Sequence, residues 1–183
     1  MIGAGFGGYL ADARDGDEYA FAVLWRDLNP ALLRFLRVVA PATAEDTAAE
    51  VWLEVCRGLD RFRGDETGFR SWVFTVARMR AIDAARQAAR RPVRPLPPDQ
   101  LPDRPAADDP AGAALEAQAT REALALIAAL PADQAEVVAL RVIAGLDAAQ
   151  VGEIVGKRPG TVRVLAHRGL RRLAQHLAER TGV

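Results

Sequence analysis

Lysine is almost missing from this chain. Lys157 is the only one, and arginine carries the rest of the positive charge. Cysteine is as scarce: Cys56 stands alone, so no disulfide can close within the chain. One cysteine and two histidines also leave no Cys/His zinc set. There is no glycine-rich phosphate loop, no metal-ligand spacing and no nucleophile paired with a base. No catalytic residue, metal or cofactor is therefore assigned, and an enzyme is the disfavoured reading. Long apolar runs are absent too: "ALALIAAL" is far too short to cross a bilayer, which argues against membrane insertion. The N-terminus has no basic stretch followed by an apolar core, so it makes a poor signal peptide. These absences point to the cytoplasm. Alternating strand patterns are missing as well, and the expected fold is all-α.

Net charge is zero, from 24 basic and 24 acidic residues, but it is laid down in blocks. Residues 12–54 are acid-rich, residues 57–94 arginine-rich, and the chain turns basic again after Lys157. Alternation of this kind suits a protein that meets a polyanion at two places and other partners elsewhere. Between the blocks, "PVRPLPPDQLPDRPAADDP" at 92–110 holds seven prolines and no helical period. Proline fixes φ and removes a donor, so this segment reads as an extended linker. The expected organisation is a tail at 1–16, a helical domain at 17–91, a flexible acidic linker at 92–113 and a second helical domain at 114–178. Both domains are small.

Apolar residues at three-and-four spacing mark the helices. In the first half they run Phe21, Leu24, Trp25, Leu28, Leu32, Phe35, Leu36 and Val39, with an interruption expected at Asn29-Pro30. A second helix starts at Thr43 and buries Ala48, Val51, Trp52, Val55, Cys56 and Leu59. "RFRGDETG" breaks the pattern, and a third helix runs from about Phe69 to Arg90. Cys56 is expected as a small core residue. In the second half a helix near 115–129 uses Leu115, Leu124 and Ile127, and another lies between Pro131 and Gly145.

The basic residues near the C-terminus sit in "VGEIVGKRPGTVRVLAHRGLRRL", Val151–Leu173. Gly156 fits the turn of a helix-turn-helix. Gly152, four residues earlier, supplies the small residue needed where the two helices come close. Val162 and Leu165 are placed to pack the second helix onto Val151 and Val155, and Pro159 suits a helix start. In this motif the second helix enters the DNA major groove. Its outward residues are Lys157, Arg158, Thr161, Arg163, Val164, His167 and Arg168. Arginine can bond guanine through two donors, whereas lysine and threonine favour phosphate. A helical hairpin with no DNA role is the alternative, and His167 is as consistent with simple solvation as with contact.

Together the halves resemble the extracytoplasmic-function sigma factors, the compact group-four members of the bacterial sigma-70 family. "FRSWVFTVARMRAIDAAR" at Phe69–Arg86, with the residues before it from Thr43, resembles their second region. "LPADQAEVVALRVIAGLDAAQVGEIVGKRPGTVRVLAHRGLRRL" resembles their fourth. The resemblance covers about 17–178. It implies a dissociable specificity subunit whose partners are core RNA polymerase, promoter DNA and a cognate anti-sigma factor. It places polymerase binding on Asp46, Glu50 and Trp52. It places minus-ten recognition and melting on Arg61, Arg63, Gly64, Asp65, Arg70, Arg78, Met79 and Arg80. It gives the helix-turn-helix the minus-thirty-five element. The "GDETG" loop is one candidate seat for a flipped base, since glycine lets backbone approach closely; a plain surface turn is the other. The linker reaches roughly 60–70 Å if extended, comparable to the separation of the two promoter elements.

The chain departs from the family at Ala49, where glutamine is usual, and at Met79, where asparagine is frequent. Val164 and Leu165 replace a polar and basic pair. An atypical promoter is the expectation. The competing function is a helix-turn-helix DNA-binding regulator that does not recruit polymerase; the string at 69–86 argues against it.

Overall fold

The computed structural model describes the backbone of residues 1–90 and 110–181, and side chains within 1–90 and 116–179. The proline-rich stretch up to residue 109, with Asp99, Asp103, Asp108 and Asp109, lies outside the described residues, as does the side chain of Leu115. The described residues form helices and no strand. Eight α-helices follow in order: α1 (Phe6–Arg14), α2 (Glu18–Val39), α3 (Ala44–Gly58), α4 (Glu66–Arg90), α5 (Pro110–Ala128), α6 (Ala132–Val138), α7 (Ala148–Val155) and α8 (Pro159–Thr181).

Helix α2 is the axis of the first half. Asp17 caps it, its carboxylate accepting from the Ala20 amide at 3.0 Å. The expected interruption at Asn29-Pro30 does not occur, and Pro30 sits inside one continuous helix. A mid-helix proline costs about 3 kcal/mol. Leu28, Leu32, Phe35 and Leu36 are all buried along α2, and each contributes about 1.5–3 kcal/mol. Packing therefore outweighs the proline. Asn29 takes a tertiary role: its amide oxygen accepts from the Trp52 indole at 3.0 Å.

Helices α3 and α4 close the core against α2. Phe35 meets Phe74 edge to face at 5.5 Å. Val51, Val55, Val73 and Ala77 are fully buried between them. Cys56 is a correction: it is exposed, beyond Trp52 at the margin of the buried stripe. Partial burial still pushes its thiol pKa up. Residues 1–16 also contain an element that their glycine-rich sequence does not announce. Helix α1 buries Phe6 and Leu10 and packs against α2.

In the second half α6 continues into a π-helical turn, Ala139–Ile143, before Gly145 at φ 67° reverses the chain. Helix α8 packs on both α6 and α7. Gly169 of α8 lets that helix approach closely: a Cβ there would stand 2.7 Å from the Val138 side chain. The two halves also touch. Helix α2 packs against α5, α6 and the π-helical turn, and α4 packs against α7. The Arg78 guanidinium meets the Glu136 carboxylate at 2.8 Å across that contact.

Candidate nucleic-acid interface

Two surfaces gather the residues that the sequence singles out. The first is the helix-turn-helix. Asp147 caps α7 through a reciprocal box: its carboxylate accepts from Ala149 and Gln150 amides, and the Gln150 side chain accepts from the Asp147 amide at 2.9 Å. Gly156 ends α7 in the left-handed conformation, φ 67° and ψ 36°, as a turn glycine should. The Lys157 amide then donates to the Gly152 carbonyl at 2.9 Å. Gly152 is small for a reason other than a helix crossing. A Cβ at 152 would lie 2.6 Å from the Lys157 carbonyl oxygen, so the turn itself folds back over this position.

Helix α8 starts at Pro159. Val162, Leu165 and Ala166 are buried on its inner side. Lys157, Arg158, Thr161, Arg163, Val164, His167 and Arg168 are all exposed. The structure thus brings all seven expected residues onto the solvent side of the turn and second helix. Leu165, which departs from the family pattern, faces inward instead of toward a groove. Arg172 is tied down, donating to the buried Gln134 side chain of α6 at 3.2 Å.

The second surface lies where α3, the loop after it and α4 meet. A cavity of about 460 Å³ is lined by Glu54, Gly58, Arg61, Phe62, Arg63, Trp72, Val76 and Met79. Phe62 and Trp72 stack with centroids 5.2 Å apart and planes within 14°. Gly58 makes room for that stack, since a Cβ there would be 2.7 Å from the Trp72 ring. The Arg63 guanidinium is held by the Asp60 and Phe62 carbonyls at 2.6 and 2.8 Å. Arg80 pairs with Glu54 at 2.9 Å on the cavity wall. Asp65 accepts from the Gly68 amide at 2.7 Å and fixes the start of α4. Gly64 and Asp65 are exposed beside it. This arrangement offers a flat ring pair, an apolar thioether and guanidinium groups. Those are the components that hold an unstacked base and its backbone.

Two expected arginines point elsewhere. Arg70 is only 13% exposed, paired with Asp27 at 3.0 Å and donating to the Ala144 carbonyl at 3.4 Å. Arg78 is engaged by Glu136. Both serve the contact between halves in this arrangement. On α3, Asp46, Ala49, Glu50 and Leu53 are exposed, forming one face by their three-and-four spacing. Trp52 is not on that face. It is buried, its indole bonded to Asn29 and its ring edge-on to Phe21 at 5.9 Å. Leu53, which the sequence reading passed over, is 55% exposed at the C-terminal end of the acidic face, one turn beyond Glu50. Beside that face, the Arg37 guanidinium at 2.8 Å holds the Glu45 carboxyl below its ordinary range.

Among the described residues no group of His, Cys, Asp and Glu is placed to hold a metal ion, and no helix is long and apolar enough to cross a membrane.

Residues 24–91 match the family model of sigma-70 region 2, and residues 120–173 match that of sigma-70 region 4. The chain is 33% identical to the ECF RNA polymerase sigma factor SigD of Mycobacterium tuberculosis, over 97% of this chain and 86% of that protein. It is 36% identical to the ECF RNA polymerase sigma factor ShbA of Streptomyces griseus, over 91% and 92% of the two chains. Among solved structures, CnrH in complex with the cytosolic domain of CnrY shares the fold, with a TM-score of 0.63 at 19% identity, over 93% of this chain and 96% of that one.

Proposed function

The chain belongs to the extracytoplasmic-function sigma factors of the sigma-70 family, and from that premise we propose how its surfaces divide the work. A sigma factor directs core RNA polymerase to specific promoters and initiates transcription. In this chain the exposed face of α8 takes the minus-thirty-five element, with Arg163 and Arg168 toward bases and Lys157, Arg158 and Thr161 toward phosphates. The cavity of Phe62, Trp72 and Met79 takes an unstacked base of the minus-ten element, with Arg61 and Arg63 at the strand backbone. Arg70, Arg78 and Arg80 are the remaining cations of the minus-ten set. Arg78 is freed for DNA when the second half leaves α4, whereas Arg70 stays paired with Asp27 of its own half. The single observation that carries this reading is the pairing, on one chain, of an aromatic cavity rimmed by arginines with a helix-turn-helix whose basic face is exposed.

The acidic face of α3 is the proposed core-polymerase surface, through Asp46 and Glu50 with Leu53 at its end, and with Trp52 supporting the helix from inside. Control by an anti-sigma factor and action in the cytoplasm belong to the same reading, as do a first domain at 17–91 and a second at 114–178. The chain supplies binding and strand separation, and the chemistry is the polymerase's. Reversing Asp46 and Glu50 to arginine tests the assignment. Retention of core polymerase in a pull-down should fall about tenfold or more while the circular dichroism spectrum stays unchanged, as expected for like charges set against a cationic partner. Unchanged retention would move the polymerase surface off α3.

A further inference from the structure

The first fourteen residues lie outside the region 2 match, which starts at residue 24. Yet they grip the loop that walls the aromatic cavity. Arg14, the last residue of α1, reaches it with two donors. Its Nε donates to the Leu59 carbonyl at 3.2 Å, and its Nη2 donates to the Phe62 carbonyl. At the far end of the loop, the Glu66 carboxylate accepts from the Ile2 and Gly3 amides at 2.6 and 2.9 Å. From beneath, Phe6 packs on Phe69 at 5.6 Å, and Phe69 meets Phe62 in a T-shaped contact at 5.4 Å. The segment around α1 therefore holds the loop at both ends and under its central ring.

We propose that Arg14 is a positioning residue for the cavity: by fixing the Leu59 and Phe62 carbonyls it keeps Phe62 stacked on Trp72, ready to receive an unstacked nucleobase. The proposal rests on reading that cavity as the base site. A wall that is already ordered does not have to lose conformational freedom when the base arrives. Guanidinium is the group suited to this task. Its planar fork can serve two carbonyls at once, whereas an ammonium is a point donor on a flexible stem. Arg14 touches no base itself and acts through Phe62.

The test uses the full chain reconstituted with core RNA polymerase. The probe is duplex genomic fragments enriched by wild-type holoenzyme, read by permanganate reactivity of unpaired thymines. Arg14→Ala should slow the appearance of reactive thymines about tenfold, the scale of a single hydrogen bond to a charged group, with retention of core polymerase unchanged. Arg14→Lys, able to keep one bond, should fall between Arg14→Ala and wild type. Leu36→Ala, a buried truncation in α2, should lower the thermal midpoint at least as much yet open DNA at the wild-type rate below that midpoint. Wild-type opening by Arg14→Ala would overturn the proposal. So would equal slowing by Leu36→Ala, which would make Arg14 a contributor to stability alone. Phe62→Ala separates the two levels. If it opens DNA normally, the base-site reading fails and this proposal with it. If it is slow while Arg14→Ala is not, only the positioning role fails.

Discussion

Gly152 and Gly156 sit in one turn and do different things. Gly156 supplies a left-handed backbone at φ 67°, with open space around a would-be Cβ. Gly152 supplies absence: a Cβ would collide with the Lys157 carbonyl oxygen at 2.6 Å, a backbone atom that cannot swing away. Gly152→Ala should therefore cost about 1–3 kcal/mol, the usual range for overpacking. Urea unfolding should show it as a lower midpoint at unchanged slope. A cost under a few tenths of a kcal/mol would mean that the turn is looser than its geometry implies. The need for a small residue at 152 is legible from its spacing to the turn. The atom it must avoid is not, because the Lys157 carbonyl takes its place only once the chain has turned. Cys56 shows the opposite limit. Its spacing from Trp52 fits the apolar stripe of α3, but the neighbouring helices do not reach that far around. Residue type and period alone do not set where burial stops. Likewise nothing in Arg14 as a letter announces the two carbonyls it serves, which lie 45 and 48 residues along the chain.

Helix α8 is the element whose reading carries furthest. Its buried positions, Val162 and Leu165, follow from the helical period, and so does its exposed basic face. Arg163 lies beside buried Val162 in the first turns. Arg171 lies eight residues on, about 12 Å further along the axis. Arg163→Ala should lose about 1–3 kcal/mol on the cognate minus-thirty-five duplex and relax preference at one base pair. Arg171→Ala should weaken cognate and scrambled duplexes alike and reduce the salt slope by about one. Titrations of the full chain at two salt concentrations separate these outcomes. Equal weakening of both duplexes by Arg163→Ala would place the reading face at least one helix position away. Other elements were less legible. The uninterrupted course of α2 through Pro30 depends on packing that a local proline rule does not see. The π-helical turn after α6 leaves no periodic trace over five residues. Helix α1 was hidden by its two glycines, Gly7 and Gly8, although Phe6 and Leu10 stand at helical spacing.

At the scale of the whole molecule, the all-α class and the two family regions were readable, because each rests on local period and short strings. The contact between halves was not. It pairs Arg78 with Glu136 and Arg70 with the Ala144 carbonyl, 58 and 74 residues apart, across a linker that shows neither. That contact occupies two cations assigned to the minus-ten element. Glu136→Arg should separate the halves, raising the radius of gyration in small-angle scattering, and the double reversal with Arg78→Glu should restore it. An unchanged radius in the single variant would mean that apolar packing between α2 and α5 or α6 holds the halves without the ion pair. The division of labour is tested most directly by permanganate footprinting of enriched genomic duplexes, with this chain alone, with core RNA polymerase alone and with both. The account predicts reactive thymines at the minus-ten position only when both are present. Reactive thymines with this chain alone, or none with both on any enriched fragment, would contradict it.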